Sequence, residues 1–359
     1  MTVNEIEFEV VRDTEALAAL RSDWERLWSG SASELYPLSY QAVWLAWTHC
    51  HQPKRHRLHV VVGRADGRVV LFWPILIRHE RTAKLWRVAV WLGRDPIDYG
   101  DILVENTADK GAWVTAAFRH LVATVNVDVI NLQAVRPDAN AFSVLNEQCQ
   151  HRIVAETAPY IDLRKAGNWQ SYEAALPKSF RKGLQRRARR LEEVGSIDFL
   201  LTREPDLIEE TVQWITDRKR EWIDHQSIDK GLGLTPDVVE ATVGLLRVGG
   251  QSGKILIARL TIDGTVIAAD ISQISDGRLY SDIGSFDLAW AKYSPGSLLM
   301  RETIKWAFVN DVAVFDFARG SDEYKHKWAD QTVDLTQYIH PCGLLGRVYG
   351  FLRRINLRS

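Results

Sequence analysis

Cysteine is scarce in this chain. Only Cys50, Cys149 and Cys342 occur among 359 residues, and such wide spacing makes neither a metal motif nor a disulfide framework. A reducing compartment is the simplest reading. Long hydrophobic runs are also missing. The longest, Val69 to Ile77, contains a proline and is far too short to cross a bilayer. The first ten residues have neither a basic start nor an apolar stretch, so no signal peptide is expected and a cytoplasmic protein is. Nor is there an excess of charge of one sign. The 45 basic and 46 acidic residues leave a net charge of −1, which excludes a general nucleic-acid binder and predicts no stable nucleic-acid partner.

What is present is an ordinary globular composition, 46% hydrophobic and 25% charged, with a length that suggests two domains or three. Tryptophan stands out at 14 residues. It offers flat surfaces for sugars or cofactors, but filling a core is the simpler use for most of them.

Patterning predicts helices and strands in both halves. The first half reads as a strand (Glu5 to Val11), helices near Thr14 to Trp28 and Ser39 to His49, and a hairpin turned at Asp66-Gly67. Strands near Trp86 to Leu92 and Asp98 to Val104, a helix near Ala112 to Val125 and a strand Val127 to Val135 follow. The second half begins with a helical region, Trp169 to Glu193. It continues with the strand Ile197 to Leu201 and two helices, and then a meander turned at Asp263-Gly264 and Asp276-Gly277. A helix (Gly296 to Phe308), a strand (Val312 to Phe317), a short helix (Ser321 to Trp328) and a strand (Leu335 to His340) complete it. The two halves look like versions of one plan. Domains are expected at 1–162 and 163–342, with a basic amphipathic segment at 343–359.

Two neighbouring stretches carry candidate chemistry. In Tyr293-Ser-Pro-Gly-Ser-Leu298, Ser294 can cap a helix through its hydroxyl and Pro295 suits the first helical position. The amides of Gly296, Ser297 and Leu298 are then expected to be unpaired and to form an anion site with the helix dipole. As a bare pattern, Ser-Pro-Gly-Ser is also simply a good helix start. The second stretch, Val314-Phe-Asp-Phe-Ala-Arg-Gly-Ser-Asp-Glu-Tyr-Lys-His-Lys-Trp328, ends a strand at Asp316 or Phe317 and turns at Arg319-Gly320. Ser321 is then expected to cap a short helix carrying Tyr324 and Lys325. A carboxylate, a guanidinium, a phenol and an ammonium gather at one strand end, where α/β folds commonly place chemistry. A capped surface helix with a packed tyrosine is the plainer alternative.

This order of meander, Ser-Pro-Gly helix, Phe-Asp-Phe strand and Gly-x-x-x-Tyr-Lys-x-x-Trp helix resembles the GNAT superfamily. More narrowly it resembles the CelD/BcsL-type acetyltransferases of cellulose or exopolysaccharide biosynthesis, which are related to the FemAB-like transferases. The resemblance implies an α/β (α+β) fold of tandem GNAT-like domains, each a mixed, mostly antiparallel sheet flanked by helices, with the first domain degenerate. It implies acetyl-CoA or another acyl-CoA as cofactor, held by Ser294, Gly296, Ser297 and Leu298. The strand Arg278 to Phe286, with Ile283 on it, corresponds to the splayed strand along the thioester. It also implies Tyr324 as the acid that protonates the leaving thiolate. The pyrophosphate loop departs from the family's two-glycine pattern, having only Gly296. The FemAB-like branch, which uses aminoacyl-tRNA, shares that departure.

Acyl transfer to an amine needs a proton acceptor. Asp316 is the first choice, with Asp270 and Asp282 behind it on the meander. Asp270, Asp282, Arg319 and Lys325 are expected to line the acceptor site, for a small-molecule or saccharide amine. No metal is expected. Two basic segments remain. Lys178 to Arg190 holds seven basic residues and no acidic one, and Arg181, Lys182 and Arg186 in it form a candidate anion patch. A solvated face paired with Glu192 and Glu193 explains it equally. In Gly343 to Ser359, Leu344, Leu345, Val348, Tyr349, Phe351, Leu352 and Ile355 share one arc, with Arg347, Arg353, Arg354 and Arg358 in much of the remainder. Such a helix lies on an anionic membrane, or packs on its own domain or on a second subunit. The function expected is acyl-CoA-dependent N-acylation of an amino sugar. The rivals are an aminoacyl-tRNA-dependent transferase and a non-catalytic sensor of an anionic ligand on the same scaffold.

Overall fold

A computed structural model describes residues 5–31, 35–51, 55–80, 86–93, 99–226, 236–251, 253–275, 277–320 and 322–356. The chain divides into two compact units, residues 1–157 with 333–359, and residues 158–332. The expected domains differ from these at the far end. The strand and helix after residue 332 make their contacts with the first unit, so 333–342 does not belong with the second and 343–359 is not a separate body.

In the first unit the strands are β1 (Ile6–Val11), β2 (His56–Ala65), β3 (Arg68–His79), β4 (Arg87–Trp91), β5 (Leu103–Val104) and β6 (Val129–Val135). In the second, β7 (His151–Asp162) contributes its last residues, followed by β8 (Ile197–Thr202), β9 (Ile255–Ile262), β10 (Thr265–Ser275), β11 (Arg278–Phe286) and β12 (Val314–Asp316). β13 (Gln331–Pro341) belongs mainly to the first unit.

The first unit orders its strands β1-β2-β3-β4-β6-β13, with β5 on β3. Pairing there is antiparallel except between β4 and β6. The second unit orders them β7-β12-β11-β10-β9-β8, antiparallel except between β11 and β12. In each unit an antiparallel hairpin or meander leads through a helix, Lys110–Thr124 or Pro295–Val309, to a strand added in parallel. The two units therefore repeat one plan, as the expected tandem architecture requires.

The Asp-Gly turns explain why the meanders form. Asp66 and Gly67, and again Asp263 and Gly264, take positive φ at both central positions. That geometry matches strand twist, and Gly reaches it without steric cost. Gly277 also has positive φ; Asp276 lies outside the described residues. Two expected helices are broken. Thr14–Ala19 ends at Leu20 before Arg21–Ser29, and the region from Trp169 splits at Pro177 into Trp169–Ala175 and Lys178–Glu192. A proline disfavours helical backbone in the residue before it, so the second break follows from sequence.

Apolar faces close each core. In the second unit Leu298, Leu299, Ile304 and Ala307 of helix Pro295–Val309 pack with Leu256, Leu260, Phe315 and Trp328. Ile208, Val212 and Ile215 of helix Ile208–Gln226 meet Ile257, Ala269, Ile271 and Ile283. In the first unit Trp73, Trp91, Trp113 and Phe118 fill the centre. Seven tryptophans are buried and none of the fourteen is exposed, so they serve as core filling. No helix among the described residues is long and apolar enough to cross a membrane.

Helix Leu344–Asn356 is seated on the first unit by a small-residue face. A Cβ on Gly346 would lie 1.9 Å from the carbonyl oxygen of Asp128. Tyr349 beside it donates to Glu80 Oε2 at 3.0 Å and accepts from Asn131 Nδ2 at 2.9 Å. Gly346→Ala should therefore unseat the helix and lower stability by about 1 to 3 kcal/mol, the usual cost of overpacking. Chemical denaturation and earlier proteolysis after residue 343 would register it, and unchanged values would contradict this packing.

Candidate active site

The site is built where β11 and β12 part. The two strands pair in parallel through Arg278↔Val314, Leu279↔Phe315 and Tyr280↔Asp316 only. β12 then ends, while β11 runs on to Phe286. From Ser281 to Phe286, β11 is paired on one side with β10 and has no strand on the other among the described residues. A free strand edge of this kind accepts an extended chain that carries amides.

A bulge shapes the same stretch. Ile271 pairs with Ile283 and Ser272 with Ser281, so Asp282 is the extra residue on β11. Bulges bend a strand and re-aim side chains. Asp282 is met by Gln273 Nε2 at 2.5 Å. On the ladder beside it, Asp270 stands opposite Gly284 and Ser272 opposite Ser281, all on one face of the sheet.

Asp270 is the electrostatic centre of this group. It is buried, accepts from Ser272 Oγ at 2.7 Å and accepts from Ser281 Oγ at 3.2 Å. Burial pushes its carboxyl up to about 6, and the charge of Asp282 adds to the rise. The two serine hydroxyls and Lys219 hold it back. Gly284 is required opposite it, because a Cβ there would lie 2.6 Å from Asp270 Oδ2.

Asp316, the first choice of base, is held by an arginine and a backbone amide. It is fully buried, with Oδ2 on Arg278 NH1 at 2.8 Å and Oδ1 accepting the amide of Ala318 at 2.8 Å. With both oxygens engaged and an arginine on one of them, it pins the strand end. Arg278 is framed by the rings of Tyr160 and Tyr280, about 6 Å from its guanidinium. The loop that follows is closed by Lys325, which is buried and donates to the carbonyl of Arg319 at 2.6 Å. Lys325 thus holds the turn carrying Arg319, and its ammonium also lies 3.7 Å from Asp322 Oδ2. Gly320 takes φ 114°, a conformation reserved for glycine.

Tyr324 lies on the short helix Glu323–Trp328. Its surface is 47% exposed, yet desolvation raises its phenol above the ordinary range, and the charges of Asp322 and Asp270 raise it further. The influence of Asp270 puts the two groups in one electrostatic neighbourhood. Ser321, the expected cap of this helix, lies outside the described residues; Asp322 occupies the cap position without a side-chain hydrogen bond.

The start of helix Pro295–Val309 corrects the expected anion cradle. Ser294 takes φ 51° and ψ 54°, and its hydroxyl makes no cap hydrogen bond. This left-handed turn follows directly from the tight helix Leu288–Tyr293, whose Ala291 carbonyl accepts the Ser294 amide. The amides of Ser297 and Leu298 both donate to the Ser294 carbonyl, so they are not free. Gly296 keeps the one amide of the three that is not spent inside the turn, and the side chain of Leu298 is buried in the core. Ile283 is buried as well, so only its backbone is at the strand edge.

The basic helix Lys178–Glu192 buries Leu184 and Leu191 and presents Lys182 and Arg186 to solvent. Arg181 is partly buried and donates to the carbonyl of Leu176 at 3.2 Å. Lys182 and Arg186 form no ion pair with Glu192 or Glu193 among the described residues, which leaves their charge available. No cluster of three or more metal-ligating side chains occurs among the described residues.

Sequence and structure comparisons bear on the fold. Residues 178–326 match the family of acetyltransferase (GNAT) domains. No curated protein matches the chain. Among solved structures, FemX superposes with a TM-score of 0.60 at 10% identity, covering 96% of this chain and 99% of FemX. The C-terminal DUF2156 domain of a protein from Agrobacterium fabrum gives 0.56 at 13% identity, covering 94% of each. A conserved protein of unknown function from Bacteroides thetaiotaomicron gives 0.55 at 11% identity, covering 93% of this chain and all of that one. Residues 178–326 of the second unit are thus similar to GNAT acetyltransferase domains, and the chain has a mixed α/β fold shared with these proteins.

Two outcomes follow for stability. Arg278→Met should cost about 3 to 5 kcal/mol, because it strands the buried Asp316 carboxylate without a partner; a loss below 1 kcal/mol would show that the pair is not what pins the strand end. Asp270→Asn should have a pH signature. A carboxyl raised from 3.8 to about 6 on folding favours the fold below its unfolded value and loses that contribution as pH rises through 6. The variant's stability relative to the parent should therefore climb between pH 4 and pH 7. A flat difference would mean that Asp270 titrates normally.

Proposed function

We propose that the protein is an N-acyltransferase that takes its acyl group from acyl-CoA, with acetyl-CoA the first candidate, and passes it to an amine. The observation that carries this reading is the parting of β11 and β12, with a buried, near-neutral carboxyl beside the unpaired edge. The residues present suit such a donor. The edge from Ser281 to Phe286 matches the amides of an extended pantetheine arm, and the Gly296 amide with the helix dipole suits phosphate. Acyl-CoA, when bound, supplies an activated thioester carbonyl.

The rest of the chemistry falls to the chain. Asp270 replaces Asp316 as the general base, since its raised carboxyl matches proton uptake near neutral pH. It accepts the proton that an attacking amine must lose. Ser272 and Ser281 steady its carboxylate without neutralising it. Tyr324, its phenol raised and so protonated throughout the working range, holds the proton for the leaving sulfur. The proton on Asp270 then restores Tyr324, so that amine and thioester become amide and thiol with no covalent enzyme intermediate. An amino sugar acceptor, and with it a role in exopolysaccharide synthesis, rests on the family resemblance.

One observation favours a second reading. The helix start offers phosphate a single amide, while Lys178–Glu192 presents unpaired cationic charge and FemX shares the fold. An aminoacyl donor carried on tRNA suits that distribution. RNA that copurifies with the protein and is released by Arg186→Glu would support it.

The first reading is tested by thermal shift and by thiol release. Acetyl-CoA at a hundred times its Kd should stabilise the protein by about 2.7 kcal/mol. kcat/KM for an amino sugar should rise with pH to a plateau above about 6 and fall by about 100-fold or more in Asp270→Asn. No thermal shift at millimolar acetyl-CoA, or a variant as active as the parent, would overturn it.

A further inference from the structure

The helix Leu344–Asn356 is oriented against expectation. An amphipathic helix on a globular domain normally turns its apolar face inward. Here the inward face is Gly346, Tyr349 and Gly350, with Gly350 close against His151 and Trp86 Nε1 donating to the carbonyl of Leu345 at 3.1 Å. Tyr349 was grouped by sequence with the apolar arc, but it belongs to this buried side. The outward face is Leu344, Leu345, Val348, Phe351 and Leu352, between 43 and 79% exposed. Half of the large hydrophobic side chains exposed among the described residues stand on this one helix; Val154, Val194, Leu200, Val309 and Tyr324 are scattered. Contiguous exposed apolar surface of this kind marks an interaction site.

Charge identifies the partner. No acidic residue occurs after Asp334, while Arg347, Arg353 and Arg354 fall within the helix's sequence and Arg358 lies outside the described residues. Arg347 is exposed beside Val348. A second copy docked face to face would bring like arginines together, because a two-fold contact repeats the same patch on both sides. An apolar strip with the exposed Arg347 beside it, in a segment whose only charged residues are arginines, instead complements an anionic lipid surface, where side chains enter the acyl boundary and arginines meet the headgroups. The seating by Gly346 and Tyr349 holds the strip open before any lipid is met, so little ordering entropy remains for binding.

We infer that helix Leu344–Asn356 is a pre-formed docking surface for anionic membrane, with Leu344, Leu345, Val348, Phe351 and Leu352 as the inserting strip. Cosedimentation of the full chain with vesicles tests it. Vesicles of equal parts phosphatidylglycerol and phosphatidylcholine should bind the protein, and phosphatidylcholine alone should bind it at least tenfold more weakly. Arg347→Gln should cut the partition about fivefold, the weight of one arginine at an anionic surface. Phe351→Asp should abolish it while leaving the melting temperature unchanged, since that side chain is outside the fold. The inference is overturned if neither vesicle binds, if both bind equally, or if Phe351→Asp leaves binding intact. It is also overturned if Phe351→Asp turns a dimer into a monomer and the parent ignores lipid, which would make the strip a contact between copies.

Discussion

The buried pair between Arg278 and Asp316 is the constraint on which the site depends. It joins the first residue of one parallel strand to the last of the next, at the point where the two strands stop pairing. Beyond it β11 keeps its partner on one side and, among the described residues, has none on the other. A parallel pair that continued to the end of β11 would leave no edge for a ligand. A pair that never formed would leave Asp316 uncompensated in the core, a state that buried carboxylates avoid at considerable cost. Two carboxylates of this sheet are thus held in different ways. Asp316 gives up its freedom to fix the parting of the strands, and Asp270, held only by hydroxyls, keeps a proton affinity near neutrality.

Much of this was legible in sequence, and the reasons differ by residue. The Asp-Gly turns could be read because their backbone requirement is local. The helix after Pro295 could be read for the same reason. Ser294 could not, because its left-handed conformation is imposed by the tight turn of Leu288–Tyr293, which sequence did not reveal. The pairing of Asp316 rests on a non-local fact. Arg278 and Asp316 lie 38 positions apart and meet only through a parallel register. The raised carboxyl of Asp270 likewise depends on burial opposite Gly284, and nothing in either residue's immediate neighbours announces it.

Lys325 and helix Leu344–Asn356 show the same limit in opposite directions. A lysine at a strand end invites assignment to a ligand, but its bond to the Arg319 carbonyl, which orders the turn, could not be read from spacing. The amphipathicity of the helix was plain, but amphipathicity does not say which face turns inward. Two glycines decide it, since only residues without a Cβ allow the backbone to approach Asp128 and His151 so closely.

The bulge at Asp282 has an effect on parity. Side chains alternate along a strand, so one extra residue exchanges the faces for everything after it. Ile283 packs toward helix Ile208–Gln226, and Gly284 falls opposite Asp270, only because β11 counts one residue more than β10 between the two halves of the ladder. Were Asp282 drawn into the ladder opposite Ile271, no residue would change, yet the strand after it would be inverted. Ile283 would be pressed on the Asp270 carboxylate and Gly284 moved to the core face opposite Ala269. Register, as much as residue type, is therefore encoded in this short stretch, and the surroundings of Asp270 depend on one residue that stays out of the count.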